Sequence, residues 1–219
     1  MAPPSPGGLF ETAPSSELLA PGAILLHRFV DAREAERIVK LIAQISTPSP
    51  FRHMAVRGGR RMSVAMTNCG ALGWVSDESG YRYSPVDPLS KTPWPEMPPE
   101  FRDLATRAAA EAGFPDFAPD ACLINRYAPG AQMGLHQDRD ESDFAAPIVS
   151  VSLGLPAVFL FGGMRRSERP RRIALESGDV VVFGGPARLA YHGIAKLAAG
   201  AHPLAGAYRL NLTFRKAGR

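Results

Sequence analysis

The stretch "LHQDRDE", residues 135–141, sets one of only five histidines among three acids. In an extended segment, residues i and i+2 share a face, so His136 and Asp138 are placed to bind one ion together. His192, in "AYHG", follows Asp138 after 53 intervening residues and supplies a second imidazole. Two imidazoles and one carboxylate on one face of an octahedral metal leave three positions open, the arrangement of non-haem Fe(II) oxygenases. Taken singly, His136 also reads as a capping or surface histidine and His192 as a strand-end histidine.

The C-terminal run "RLNLTFR" adds a second chemistry. Leu210, Leu212 and Phe214 alternate with Arg209, Asn211, Thr213 and Arg215, so one face is apolar and the other carries two guanidiniums and an amide. An ordinary half-exposed strand has this pattern. So does a barrel strand whose polar face lines a ligand pocket. Arg209 and Arg215 are about 20 Å apart along such a strand at roughly 3.3 Å per residue. They meet one small ligand by leaning in from its two ends, and an extended dicarboxylate suits paired guanidiniums. Asn125 and Tyr127 in "LINRY", again i and i+2, are neutral hydrogen-bonding partners.

The elements that must position these residues are mostly strands. From Cys122 onward, "CLINRY", "IVSVSLGL", "AVFLFG", "RRIALE", "DVVVF" and "YRLNLTF" are short runs separated by Gly, Pro and Asp turns, the pattern of a sandwich, jelly roll or barrel. Upstream, residues 1–22 are rich in Pro, Gly and Ser and read as a loose arm, followed by a strand over 23–30. Asp31 caps a helix whose apolar stripe is Ala35, Ile38, Val39, Ile42 and Ile45; Pro48 and Pro50 end it. A second helix starts at Pro99, stops at Gly113 and buries Phe101, Leu104, Ala105, Ala108 and Ala109. Residues 51–98 between the helices lack a clear period and read as short strands and long loops, a lid. The fold class is therefore mainly β with flanking helices, and residues 23–219 form a single domain with its core over about 121–219.

Composition fits an ordinary globular chain, with 45% hydrophobic and 21% charged residues. The net charge of +4 permits a polyanionic partner without requiring one. Cys69 and Cys122 form no CxxC, so neither a disulfide framework nor a zinc knuckle is encoded. No apolar run reaches the length of a membrane span, and the stretch "MAPPSPGGLFETAPSSE" lacks a basic n-region and an apolar h-region, so it is not expected to act as a secretory signal. The expected location is cytoplasmic and the expected state a monomer.

The stretches "MSVAMTNCG", "GYRYSPVDP", "PDACLINRYAPGAQMGLHQDRDE", "APIVSVSLGLPAVF", "GDVVVFGGPARLAYHGI" and "RLNLTFR" together resemble the AlkB family, bacterial Fe(II)- and 2-oxoglutarate-dependent DNA dealkylation dioxygenases. The likeness covers nearly the whole chain. It implies a double-stranded β-helix (jelly roll) core with an N-terminal nucleotide-recognition lid. It also implies His136, Asp138 and His192 as iron ligands, and Asn125, Tyr127, Arg209, Asn211 and Arg215 as 2-oxoglutarate contacts, with Arg215 in the catalytic group. Met66, Trp74, Tyr81, Tyr83, Asp140 and Arg166 fall on the substrate side. The chain departs from the family pattern at Arg60 and Arg61, where an aromatic or hydroxyl residue is expected, and at Phe183, where tryptophan is familiar.

The implied chemistry is oxidative: Fe(II), 2-oxoglutarate and O2 are used to oxidise a methyl group on a ring nitrogen, releasing succinate, carbon dioxide and formaldehyde. The implied substrates are 1-methyladenine and 3-methylcytosine in single- or double-stranded DNA, with RNA open to the same chemistry. A base inside a duplex must leave the stack to react. Trp74 is then a stacking platform, or else a core residue of the lid. Arg57, Arg60, Arg61, Arg165, Arg166, Arg169, Arg171 and Arg172 are dense enough to meet phosphates, or else form solvated loops. Asp140, two residues beyond Asp138, either attracts these cationic bases in a partly dry pocket or caps the following turn. Two other readings compete: an Fe(II)/2-oxoglutarate hydroxylase of a protein or small molecule, and a non-catalytic nucleic-acid-binding jelly-roll module.

Overall fold

The computed structural model describes residues 15–56 and 58–218. Strands β1 (Ser15–Ala20) and β2 (Ala23–His27) are followed by helix α1 (Ala32–Ser46). Then come β3 (Arg52–Ala55), β4 (Arg61–Gly70), β5 (Gly73–Asp77), β6 (Gly80–Ser84) and helix α2 (Pro99–Glu111). The remainder is β: β7 (Ala121–Tyr127), β8 (Met133–His136), β9 (Ile148–Gly154), β10 (Ala157–Phe161), β11 (Arg171–Leu175), β12 (Val180–Phe183), β13 (His192–Ile194) and β14 (Arg209–Arg215). A large sheet runs β1-β2-β12-β9-β14-β7-β4-β3, a smaller one runs β11-β10-β13-β8, and β5 and β6 form a separate hairpin.

The two faces of β14 explain the layering. Leu210, Leu212 and Phe214 join the core that packs the large sheet on α1 and α2. The opposite face of the large sheet meets the small sheet through a second core that includes Leu123, Ile148, Phe159, Phe161, Val181 and Phe183. Two facing sheets with helices behind the larger one are the double-stranded β-helix with flanking helices. Helix α1 begins where Asp31 accepts a hydrogen bond from the Glu34 amide at 2.7 Å, and its buried positions are Ala35, Ile38, Ile42 and Ile45. Helix α2 buries all five residues of its expected apolar face.

Three expectations change. The loose arm expected over residues 1–22 is an edge strand from Ser15 to Ala20, paired antiparallel with β2; its first 14 residues lie outside the described ones. The strand expected over 23–30 ends at His27. Residues 51–98 are not uniformly irregular, because β4 is a ten-residue strand of the large sheet paired with β7. Its pattern was unreadable because both faces are buried from Val64 to Cys69, so apolar and polar residues do not alternate. Among the described strands, only those of the hairpin β5–β6 stand outside the large and small sheets.

Candidate metal and co-substrate site

Strands β8 and β13 bring the two imidazoles together. His136 and His192 are register partners, and their rings lie 4.4 Å apart between centroids. Gly193 makes this approach possible, since a Cβ there would sit 2.6 Å from the Met133 carbonyl oxygen. Each imidazole donates from Nδ1 to a carbonyl two residues back, His136 to Gly134 at 2.8 Å and His192 to Ala190 at 3.0 Å. A carbonyl only accepts, so the proton is on Nδ1 and the Nε2 lone pair of a neutral ring is free for a metal. Burial, and then the neighbouring His136, push His192 down to about 4, so it is neutral near pH 7.

Asp138 completes the set from a different kind of segment. Strand β8 ends at His136, so Asp138 is on the following loop and not on a continued strand face. Its Oδ1 is 3.6 Å from His136 Nε2 and its Oδ2 is 3.9 Å from His192 Nε2. One ligand atom from each of the three residues falls within 4.8 Å of the others. Burial works to raise the Asp138 carboxyl, but the Arg215 guanidinium and then the two imidazoles outweigh it and hold it well below the usual carboxylate range. This set of two imidazole nitrogens and one carboxylate suits Fe(II).

Between the sheets, Asn125, Tyr127, Arg209, Asn211, Thr213 and Arg215 line a cavity with His136 and His192. The pairing of β14 with β7 sets Arg209 opposite Tyr127 and Asn211 opposite Asn125. Arg209 is 1% exposed. It gives Nη2 to Ser152 Oγ at 2.9 Å, while its Nε and Nη1 have no partner, and neither does Asn125 Oδ1. Burial lowers the Arg209 guanidinium below its ordinary value, with Tyr127 acting against it. A buried cation with two idle donors is costly unless an anion meets it. A carboxylate of 2-oxoglutarate is such an anion, and a guanidinium holds it bidentately.

Arg215 does not mirror Arg209. Its Nε and Nη2 both donate to Asp138 Oδ2, at 2.9 and 2.6 Å, so the expected pair of arginines leaning in from two ends is replaced by one idle guanidinium and one that holds the metal carboxylate. Glu141 was read only as the third acid of its stretch, and Arg188 carried no periodic signal at all. The structure buries both: Arg188 donates to the Asp138 carbonyl at 3.0 Å and to Glu141 Oε2 at 3.1 Å.

A second cavity is lined by Met62, Met66, Trp74, Tyr81 and Asp140, and shares Leu123, Met133, His136 and Arg215 with the first. Trp74 and Tyr81 stack with centroids 5.5 Å apart, and Trp74 Nε1 donates to Asp140 Oδ2 at 2.8 Å. Asp140 is exposed, which corrects the partly dry setting expected for it. Tyr83 lines neither cavity; its hydroxyl donates to Glu141 Oε1 at 2.7 Å, and burial raises the phenol well above its usual range. Arg166 is exposed in the β10–β11 connection and lines neither cavity. Arg171 donates to the Leu19 carbonyl and to Glu17, and Arg165 pairs with Glu168, so these two are engaged within the chain. Arg57 lies outside the described residues. Phe183 packs its ring 4.9 Å from that of His192, and Arg60 and Arg61 are exposed.

The 2OG-Fe(II) oxygenase superfamily model matches residues 22–215. The chain is 57% identical over 209 residues to the alpha-ketoglutarate-dependent dioxygenase AlkB of Escherichia coli K12, covering 95% of this chain and 96% of the relative. It is 58% identical over 207 residues to the enzyme of the same name from Salmonella typhimurium LT2, covering 94% and 95%. The solved structure of OsALKBH1 superposes with a TM-score of 0.82 at 29% identity, covering 92% of this chain and all of that one.

Proposed function

The chain belongs to the 2OG-Fe(II) oxygenase superfamily and within it is an AlkB-type Fe(II)- and 2-oxoglutarate-dependent dioxygenase; we propose that it removes alkyl groups from 1-methyladenine and 3-methylcytosine in DNA. The observation that carries this reading is the stacked Trp74–Tyr81 cavity sharing His136 and Arg215 with the cavity of Arg209. A flat base and a dicarboxylate can thus reach one metal set from two adjoining spaces.

His136, Asp138 and His192 would hold the iron, and Arg209 with Asn125, Tyr127 and Asn211 would hold 2-oxoglutarate. When bound, Fe(II), 2-oxoglutarate and O2 supply the oxidation of the N-methyl carbon. The chain's own residues orient and shield. Gly134 and Ala190 fix which ring nitrogen is free on each histidine. Arg215 keeps the Asp138 carboxylate deprotonated and aimed. Asn211 donates to Ser150 and accepts from Thr213, and Ser152 accepts from Arg209 Nη2, which leaves Nε and Nη1 of Arg209 as the idle donors that attract an incoming carboxylate. Trp74, fixed at its indole nitrogen by Asp140, presents a π face to a flipped base. The substrate strand is DNA, single or duplex, with RNA accessible to the same pocket, and the enzyme works as a monomer in the cytoplasm. Among the described residues no helix is long and apolar enough to cross a membrane.

The test is formaldehyde release from an oligonucleotide carrying 3-methylcytosine. Release that requires both 2-oxoglutarate and the modified base is the expected result. Formaldehyde from a methylated peptide, with none from the oligonucleotide, would support the protein-hydroxylase reading instead.

A further inference from the structure

The hairpin β5–β6 and the loop after β8 are joined by two consecutive acids. Trp74 and Tyr83 are direct cross-strand partners in the hairpin, so they share a face. Trp74 donates to Asp140 at 2.8 Å and Tyr83 to Glu141 at 2.7 Å. Asp140 is exposed, but the Glu141 side chain is only 2% exposed. The two contacts therefore have different reach. The outer one ends at Asp140, and the inner one continues into the site.

Glu141 is fully engaged. Oε1 accepts from Tyr83 and lies 3.3 Å from Arg215 Nε, while Oε2 accepts from Arg188 Nη2 at 3.1 Å. The same Arg215 Nε donates to Asp138 Oδ2 at 2.9 Å, and Arg215 Nη2 reaches that oxygen at 2.6 Å. Arg188 grips the Asp138 main-chain carbonyl at 3.0 Å. Both the carboxylate and the backbone of Asp138 are thus referenced to Glu141 through two buried guanidiniums. A guanidinium is planar, so a shift at one edge of the fork moves the other. Tyr83 and Asp138 Oδ2 are thereby linked through Glu141 Oε1 and the Arg215 guanidinium.

We propose that Glu141 is a positioning residue that couples the aromatic hairpin to the metal carboxylate, so that a base stacked on Trp74 tightens the metal and co-substrate site through Tyr83, Glu141 and Arg215. The proposal rests on the reading of Trp74 as the base platform. Coupling between two sites is reciprocal in free energy, so the stacked base strengthens 2-oxoglutarate binding by the factor by which 2-oxoglutarate strengthens base binding.

The experiment measures the dissociation constant of 2-oxoglutarate on protein loaded with Mn(II), which binds without turning over, in the absence and presence of an oligonucleotide carrying 3-methylcytosine. In the wild type the oligonucleotide tightens 2-oxoglutarate by roughly fivefold or more, the low end of typical coupling. Tyr83→Phe removes one hydroxyl and leaves both guanidiniums on Glu141; in it the ratio falls to about one while the oligonucleotide still binds. Glu141→Gln behaves alike, and if it does not fold, Tyr83→Phe decides. A ratio in Tyr83→Phe equal to that of the wild type overturns the relay, as does a ratio of one in the wild type. An oligonucleotide that fails to bind the wild type overturns the base-platform reading itself, and the relay with it.

Discussion

Arg209 is the residue whose state says most about a missing partner. It is buried and charged, and it has two donors without acceptors. The alternation in "RLNLTFR" was enough to place it on a polar face, and its register opposite Tyr127 puts it in the cavity. Its chemical difference from Arg215 was not legible, because that depends on Asp138, 77 residues away along the chain. Charge-assisted hydrogen bonds contribute roughly 1.5–3 kcal/mol. Arg209→Ala is therefore expected to weaken 2-oxoglutarate binding about 10- to 150-fold while metal binding persists, as titration of the Mn(II)-loaded variant would show. An unchanged constant would move the carboxylate anchor to another group.

At the scale of elements, the loop after β8 does more than its spacing suggested. An alternating strand through His136, Asp138 and Asp140 was the natural reading of "LHQDRDE", yet the strand ends at His136. His136, Asp138 and His192 converge because a loop can turn Asp138 back toward both imidazoles, and no periodicity encodes such a turn. The helices were readable because each has one buried face with its own period, and β14 because its apolar and polar residues alternate even though both of its faces are buried. The network of Glu141 and Arg188 was not, since two polar residues 47 apart meet only in the fold. Asp140 has one oxygen on Trp74 and sits in solvent, so its charge acts through a high dielectric. Two unit charges about 4 Å apart in water interact by about 1 kcal/mol, a factor of about five. Asp140→Asn retains an acceptor for Trp74 and removes only the charge. It is expected to lower kcat/KM about fivefold on cationic 3-methylcytosine and to leave a neutral lesion such as 1-methylguanine nearly unchanged. Equal losses on both would make Asp140 an anchor of Trp74 and nothing else.

For the whole molecule, the net charge of +4 is modest, and the basic residues near β10 and β11 are not equivalent. Arg165 and Arg171 are paired within the chain, which leaves the exposed Arg166, Arg169 and Arg172 to meet phosphates. Each contact to a single strand contributes about 0.7 to the slope of log affinity against log salt. Replacing these three with glutamine is expected to flatten that slope by about 2 on a single-stranded oligonucleotide, and an unchanged slope would assign the connection to solvent. Two facing sheets, a set of three ligand atoms and two adjoining cavities amount to one claim: a modified base is oxidised at the expense of 2-oxoglutarate. The most direct test incubates the Fe(II)-loaded protein with 2-oxoglutarate, O2 and an oligonucleotide carrying 3-methylcytosine, and measures succinate and formaldehyde together. Equal amounts of both, with unmodified cytosine recovered and neither product above background in His192→Ala, is the predicted result; succinate without formaldehyde or restored cytosine in the wild type would contradict it.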